Sequence, residues 1–292
     1  MKQSKEYVLS HHLCYMQVEP AKKPNDNLLF YDFETDFSTG EHLVNFAVAQ
    51  YTDGRQVVFK GYEALDQFCE FLFSMDHQNY SFIGHNAKAF DTVILQRWLI
   101  KNRPPADMHV IPSGQKVMQL TLKDYNIRLI DSLNFVQMPL SKFPETFGLD
   151  LSTFSKGDFP FKFNIPENQN YVGPIPDIDF YSPDTKSEKD RNRIIDWHKE
   201  LAKTNYIFDF QKEMLQYCSQ DVTILRLCCM QFRESFLSET NVDPFCYCTI
   251  VASVMAVYRS KYLKKDTIGI LPKNMYREGN NLNLILKVRM NG

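Results

Sequence analysis

The chain has almost no net charge. Its 33 Lys and Arg face 35 Asp and Glu, which leaves −2 over 292 residues. Binding nucleic acid by phosphate neutralisation alone calls for a basic protein, so that mechanism by itself is excluded. A metal-dependent nuclease is not excluded, because a carboxylate cluster offsets basic tracks. No apolar stretch near the N-terminus has the length of a signal peptide or a membrane span. The seven Cys are odd in number. Neither Cys246 and Cys248 nor the adjacent Cys228 and Cys229 has a second ligand pair at zinc spacing. The expectation is free thiols in a reducing intracellular compartment, nucleus or organelle undetermined, with no membrane partner. No internal repeat and no low-complexity tract interrupts the chain.

What is abundant is aromatic: 23 Phe and 15 Tyr. They fit a large aromatic core, or a core with a few rings left for stacking on bases. Charge is also unevenly spread. Residues 259 to 289 hold eight basic side chains (Arg259, Lys261, Lys264, Lys265, Lys273, Arg277, Lys287, Arg289) against Asp266 and Glu278. This is either a solvated face or a strip facing DNA.

Residues 28 to 33 form a short apolar run that reads as a buried strand. Strands at 43–51 and 56–59 flank Asp53-Gly54, a hairpin signal. Leu65, Phe68, Phe71 and Leu72 give helical spacing over 62–75. A strand ends at Phe82-Ile83-Gly84, and a helix over 91–101 stops at Pro104-Pro105. Two more strands, Val117 to Leu122 and Ile127 to Leu133, enclose a turn. Prolines 160, 166, 174, 176 and 183 mark an irregular loop over 157–184. Helices are expected near 186–203, 208–233 and 244–264, the last with Ile250, Val254, Val257 and Tyr258 on one stripe. Strands first and helices later indicate an α/β layer fold, a mixed central sheet with flanking helices and a helical C-terminal portion.

Asp32 and Glu34 end the first strand. Side chains two apart on a strand share a face, so the two acids point together. Burying two unpaired carboxylates is costly and they repel; a divalent cation relieves both problems. Asp91 opens the helix after His85-Asn86-Ala87-Lys88-Ala89-Phe90, where an acid also serves as a cap. Tyr217 and Asp221 lie i and i+4 on one face of an apolar helix. Four carboxylates with a tyrosine offer hard oxygen ligands suited to Mg²⁺ or Mn²⁺.

These three pieces in this order, D-x-E, N-x₄-D with an aromatic before the Asp, and Y-x₃-D, resemble the Exo I, Exo II and Exo III motifs of the DEDDy exonucleases of family B DNA polymerases. Ser132-Leu133-Asn134-Phe135-Val136 resembles the S/T-L-x-x-h motif of the protein-primed members. Lys156-Gly157-Asp158-Phe159 resembles their K-x-x-h motif. The text from Leu140 to Gly148, and Asp243-Pro244-Phe245 with its following helix, is similar to organellar, viral and Polinton-type transposon members. The resemblance runs over about residues 28 to 285.

It implies a ribonuclease H-like fold, with an N-terminal extension over 1–27 and an exonuclease domain over 28–240. Residues 241–292 would be a helical segment and the start of a linker toward a polymerase domain. It implies two Mg²⁺ or Mn²⁺ ions, one held by Asp32, Glu34 and Asp221 and one by Asp32 and Asp91. Tyr217 would orient the attacking water beside Glu34, and Lys156 would contact the scissile phosphate. Thr35, Asn86, Phe90, Ser132 and Leu133 would hold single-stranded DNA 3′ ends. A polymerase domain or a terminal protein would be a partner in full-length relatives. The polymerase motifs D-x-x-S-L-Y-P, K-x₃-N-S-x-Y-G and D-T-D-S are missing from these residues, and Tyr276-Arg277-Glu278-Gly279 departs from the family's Y-x-G-G. Three readings stand at this point: an active proofreading exonuclease truncated before the palm, a catalytically idle DNA-binding remnant, and an RNA exonuclease on the same fold.

Overall fold

The computed structural model of the protein describes residues 15–103, 107–154 and 157–270. Strands β1 (Leu28–Asp36), β2 (Leu43–Tyr51) and β3 (Gln56–Lys60) form an antiparallel meander. Gly54 turns the second hairpin at φ +90°, a conformation that glycine adopts without strain. Helix α1 (Ala64–Leu72) leads to β4 (Ser81–Gly84), and α2 (Asp91–Asn102) leads to β5 (Met108–Ser113), β6 (Lys116–Leu122) and β7 (Ile127–Asp131). The seven strands make one sheet in the order β3-β2-β1-β4-β7-β6-β5. Its centre, β1, β4 and β7, is parallel, and its flanks are antiparallel. Past the sheet come α3 (Phe143–Thr146), a two-stranded ribbon of β8 (Val172–Gly173) and β9 (Phe208–Asp209), and α4 (Glu188–Ala202). Helices α5 (Phe210–Thr240) and α6 (Ile250–Val257) follow. This is the α/β mixed sheet with flanking helices that the sequence implied.

The period-2 alternation of β1 builds two cores. Leu28 and Phe30 join Met214, Cys218, Val222 and Leu225 of α5 on one side. Leu29, Tyr31 and Phe33 join Phe68 and Leu72 of α1 and Leu95 and Leu99 of α2 on the other. Each such side chain, fully buried, stabilises the fold by about 1.5–3 kcal/mol.

Several expectations need correction. Strand β5 was not foreseen: it lies at the sheet edge, carries His109 and Pro112, and is mostly half-exposed, so it lacks a strong apolar pattern. Ser132 and Leu133 do not continue β7. The chain turns there because the Asp131 carboxylate accepts the Leu133 N–H at 2.8 Å and starts a 3₁₀ turn over Ser132–Asn134. Helix α5 runs seven residues beyond 233 and ends at Asn241, whose left-handed φ of +51° makes the stop. The helix expected over 244–264 is divided. Pro244–Cys246 is one 3₁₀ turn, Thr249 Oγ1 caps α6 by accepting Ala252 N–H at 3.2 Å, and Tyr258–Tyr262 is a wider π turn. Its stripe is not a buried face, since Val254 is 54% exposed. Pro104-Pro105 and Tyr276 to Gly279 lie outside the described residues. Among the described residues no helix is long and apolar enough to cross a membrane.

Arg233 fixes α5 over the sheet. Its guanidinium donates to Asp243 Oδ2 at 2.8 and 3.0 Å, to Asp26 Oδ1 at 2.8 Å and to Asn25 O at 3.2 Å, just before β1. Asp243 is fully buried. Removing one member of a buried pair strands the other charge. Arg233→Ala should therefore cost roughly 3–5 kcal/mol in urea unfolding, while Arg55→Ala, whose ion pair is exposed, should cost far less. Equal losses for the two would show that the buried pair does not anchor the helix.

Candidate active site

The carboxyl ends of the three parallel strands form one rim, the place where open α/β sheets bind ligands. Asp32 and Glu34 project there from β1 toward α5. The pairing with β2 shifts between Glu34, opposite Phe46, and Thr35, opposite Val44. Such a bulge re-aims the side chains beside it. From α5, Tyr217, Cys218 and Asp221 are buried against the same spot. One ligand atom each of Asp32, Glu34 and Cys218 lies within 4.8 Å of the others.

The Tyr217 phenol is driven far above its ordinary range by burial, then by the charges of Asp221, Glu34 and Asp32 and a hydrogen bond with Asp221. It therefore stays protonated at any physiological pH. Its ring is walled by Phe159 and Phe161, each 5.4 Å away between centroids. Gly157 closes the wall, since a Cβ there would stand 3.6 Å from Tyr217 Cδ2.

Asp91 reaches the rim from the first turn of α2. Burial pushes its carboxyl up to about 7, its own backbone amide pulls it down, and the charge of Asp131 raises it again. Asp91, like Asp32, Glu34 and Asp221, lies close enough to Cys218 that its charge acts on that thiol. Asp32, Glu34 and Asp221 thus gather around Tyr217, with Asp91 in electrostatic reach of the neighbouring Cys218.

A fifth acid, Asp131 at the end of β7, holds the rim's loops. Its Oδ1 accepts the Asn86 N–H at 3.0 Å and the Leu133 N–H at 2.8 Å, and its Oδ2 accepts the Lys88 N–H at 3.0 Å. Asn86 sits at φ +58°, which Asn tolerates better than most residues. Gly84 lets this loop pass close, because a Cβ there would meet Ala87 Cβ at 2.7 Å.

Two hollows flank the acids. One, of about 490 Å³, is lined by Glu34, Thr35, Phe37, His42, Phe90 and Phe161 among others. Within it His42 stacks on Phe37 at 4.4 Å, meets the edge of Phe90 at 4.5 Å and bonds Thr35 Oγ1 through Nδ1 at 3.0 Å. The other, of about 810 Å³, has His85, Asn86, Lys88, Lys116 and Leu133 in its walls.

So Thr35 and Phe90 line the first hollow, and Asn86 and Leu133 the second. Ser132 is buried, and its hydroxyl bonds His85 Nδ1 at 2.8 Å. It orients His85 instead of facing either hollow. Lys156 lies outside the described residues. Of the basic strip, Arg259 is tied to Glu19 at 2.5 Å and to Gln17 O at 2.9 Å, and Lys273, Arg277, Lys287 and Arg289 fall outside the described residues. Sequence reasoning missed Asp131, His42, His85 and Cys218. Asp131 had a signal, since it ends a buried strand as Asp32 does.

A model of the family described as DNA polymerase type B, organellar and viral, matches residues 73–278. The chain belongs to this family. A probable DNA polymerase of Ascobolus immersus is 26% identical over 254 residues, covering 81% of this chain and 20% of the relative. One of Agaricus bitorquis is 30% identical over 147 residues, covering 49% of this chain and 17% of the relative. The chain spans about a fifth of the length of these curated relatives. Among solved structures, phi29 DNA polymerase complexed with single-stranded DNA aligns with a TM-score of 0.46 at 16% identity, over 72% of this chain and 32% of that one. A type B polymerase from Pyrobaculum calidifontis aligns at 0.45 and 15%, over 82% and 28%.

In this type B chain the state of Asp91 makes stability depend on pH. Its folded pKa of about 7 lies above the unfolded value of about 3.9. The folded state then binds the extra proton between those values, so stability falls as pH rises through about 7. In chelator, Asp91→Asn should raise the melting temperature more at pH 8 than at pH 5, on the order of several degrees. A gain independent of pH would remove Asp91 as the titrating group.

Proposed function

We propose that the chain is a metal-dependent 3′–5′ exonuclease, the proofreading part of a protein-primed type B DNA polymerase, acting on single-stranded DNA ends. The observation that supports this reading is the cluster of Asp32 and Glu34 at the end of β1 against Tyr217 and Asp221 of α5, with Asp91 acting on the same Cys218. Carboxylate oxygens so placed fit Mg²⁺ or Mn²⁺. Asp32, Glu34 and Asp221 would hold one ion, and Asp32 and Asp91 a second. Bound there, such ions supply charge stabilisation to a phosphodiester under attack by water.

The chain's own side chains do the remainder. Tyr217, held as a phenol by burial and the neighbouring acids, holds the water by hydrogen bonding. Glu34, beside it, accepts a proton of that water on its carboxylate. A new water oxygen–phosphorus bond forms and the bond from phosphorus to the penultimate 3′ oxygen breaks. The terminal nucleotide leaves as a 5′-monophosphate, and the leaving 3′ oxygen takes a proton from solvent, so the strand keeps a 3′ hydroxyl. Lys156 would offset negative charge building on the phosphate. The Phe90 hollow has nucleotide dimensions and an aromatic wall, so Phe90 would stack on a 3′-terminal base with Thr35 beside it. Asn86 and Leu133 would steady the preceding nucleotide, with Ser132 acting through His85. Hollows with a ring placed to stack on an unpaired base favour frayed ends over duplex. A polymerase domain and a terminal protein would be partners. The three polymerase motifs are missing from these 292 residues, so hydrolysis, not templated extension, is the reaction assigned to them.

Degradation of end-labelled single-stranded DNA should require Mg²⁺ or Mn²⁺ and stop with chelator. Replacing both Asp32 and Glu34 by Ala should slow it by at least about 10³-fold with the melting curve still cooperative. Full activity in that double variant would sink the assignment. Unpaired 3′ ends should be removed faster than paired ones. Phe90→Ala should weaken single-strand binding by roughly 5- to 150-fold, the 1–3 kcal/mol of one stacked base, and leave the single-turnover rate at saturation unchanged. Unaltered binding would show that Phe90 only packs.

A further inference from the structure

Cys218 has no part in the chemistry just derived, yet it sits inside the acid cluster. It lies on α5 between Tyr217 and Asp221, fully buried, and its thiol donates to the backbone oxygen of Asp32 at 3.7 Å. Its sulfur and one oxygen each of Asp32 and Glu34 fall within 4.8 Å of one another. No other cysteine among the described residues joins such a group. Carboxylates alone favour hard ions, but adding a thiolate shifts preference toward softer ones. Zinc takes one sulfur at about 2.3 Å and oxygens at about 2.0–2.2 Å. Ligand atoms around such a centre stand roughly 3.5 Å apart, which small side-chain rotations reach from the observed spacing.

We propose that Cys218, Asp32 and Glu34 form a site for a soft divalent cation, Zn²⁺ or Cd²⁺, that excludes Mg²⁺ and silences the nuclease. The loss of activity rests on the nuclease reading above; the binding itself rests only on the three side chains. On coordination the Cys218 S–H bond breaks, its proton goes to bulk water and a sulfur–metal bond forms. No electron is transferred. The ion draws on both β1 carboxylates, so it competes directly with Mg²⁺.

The probe is Cd²⁺, titrated into the full chain while the ultraviolet absorption of thiolate-to-cadmium charge transfer is followed. Degradation of single-stranded DNA in Mg²⁺ is measured in parallel. The wild type should show more of this absorption than Cys218→Ser, by one thiolate per chain. The Cd²⁺ concentration that halves activity should rise about tenfold or more in Cys218→Ser, with activity in Mg²⁺ alone retained. Should that variant fold poorly, the Asp32→Asn, Glu34→Gln double variant keeps the thiol and should lose the same absorption. Identical cadmium spectra for the wild type and a folded variant overturn the site. A Cys218-dependent spectrum without DNA degradation in Mg²⁺ keeps the site and removes the nuclease reading. Degradation without that spectrum does the reverse.

Discussion

The structure depends on the cost of bringing acids together away from water. Asp32, Glu34, Asp91 and Asp221 all act on Cys218, three of them buried, where like charges repel and little solvent screens them. The protein answers in part by protonation. Asp91 is pushed up to about 7 by burial, and Tyr217 is held as a neutral phenol by burial and three neighbouring acids. What protonation cannot offset calls for a cation, and that need connects the fold to the proposed chemistry. The same property makes the site demanding: its charge balance changes with pH, with the ion present and with any neighbour that adds a soft donor.

The sheet makes this convergence possible. Only its central strands, β1, β4 and β7, are parallel, so only they bring three carboxyl ends to one rim. Each end carries a different task. The β1 end supplies two acids on one face. The β4 end passes through Gly84 into a tight loop that sets Asn86 and opens α2 at Asp91. The β7 end supplies Asp131, whose two oxygens gather the amides of Asn86, Lys88 and Leu133. That clasp sets the walls of the larger hollow. Asp131 thus works as a positioning residue; burial raises its pKa even though the amides it accepts pull it down, which marks how far it has been taken from water.

Much of this was legible in the sequence, for identifiable reasons. The alternation along residues 28–34 fixes which side chains face α5, so Asp32 and Glu34 were readable as a pair. The i, i+4 relation of Tyr217 and Asp221 is equally local. Asp91 was readable as the first residue of a helix, but the influence of Asp131 on it was not, because the end of β7 lies forty residues away in sequence. His42 was invisible for the same reason: it meets Phe90 and Thr35 only once β2 folds back beside β1. Strand β5 was hidden by Pro112 and by an edge position that needs no continuous apolar face. Cys218 was counted among the free thiols, and only the packing of α5 on β1 reveals that its sulfur joins the acids.

Helix α5 therefore carries the strictest tolerance in the molecule. A helix that slides by one residue moves about 1.5 Å and turns about 100°. Either change would take Tyr217 and Asp221 off β1 and put other side chains opposite Asp32 and Glu34. The apolar residues of α5 resist lateral displacement, but apolar contact is non-directional and fixes rotation poorly. Directional bonds supply the rest. At one end the Asp209 carboxylate accepts the Lys212 N–H at 3.2 Å. In the middle Arg226 donates to Gln50 of β2 at 3.0 Å, and nearer the far end Arg233 grips Asp243 and the residues before β1. These ties act at separated points along 31 residues, so rotation about any one of them strains the others. Tyr217, Cys218 and Asp221 lie between the first and second ties, where the helix has least freedom to turn.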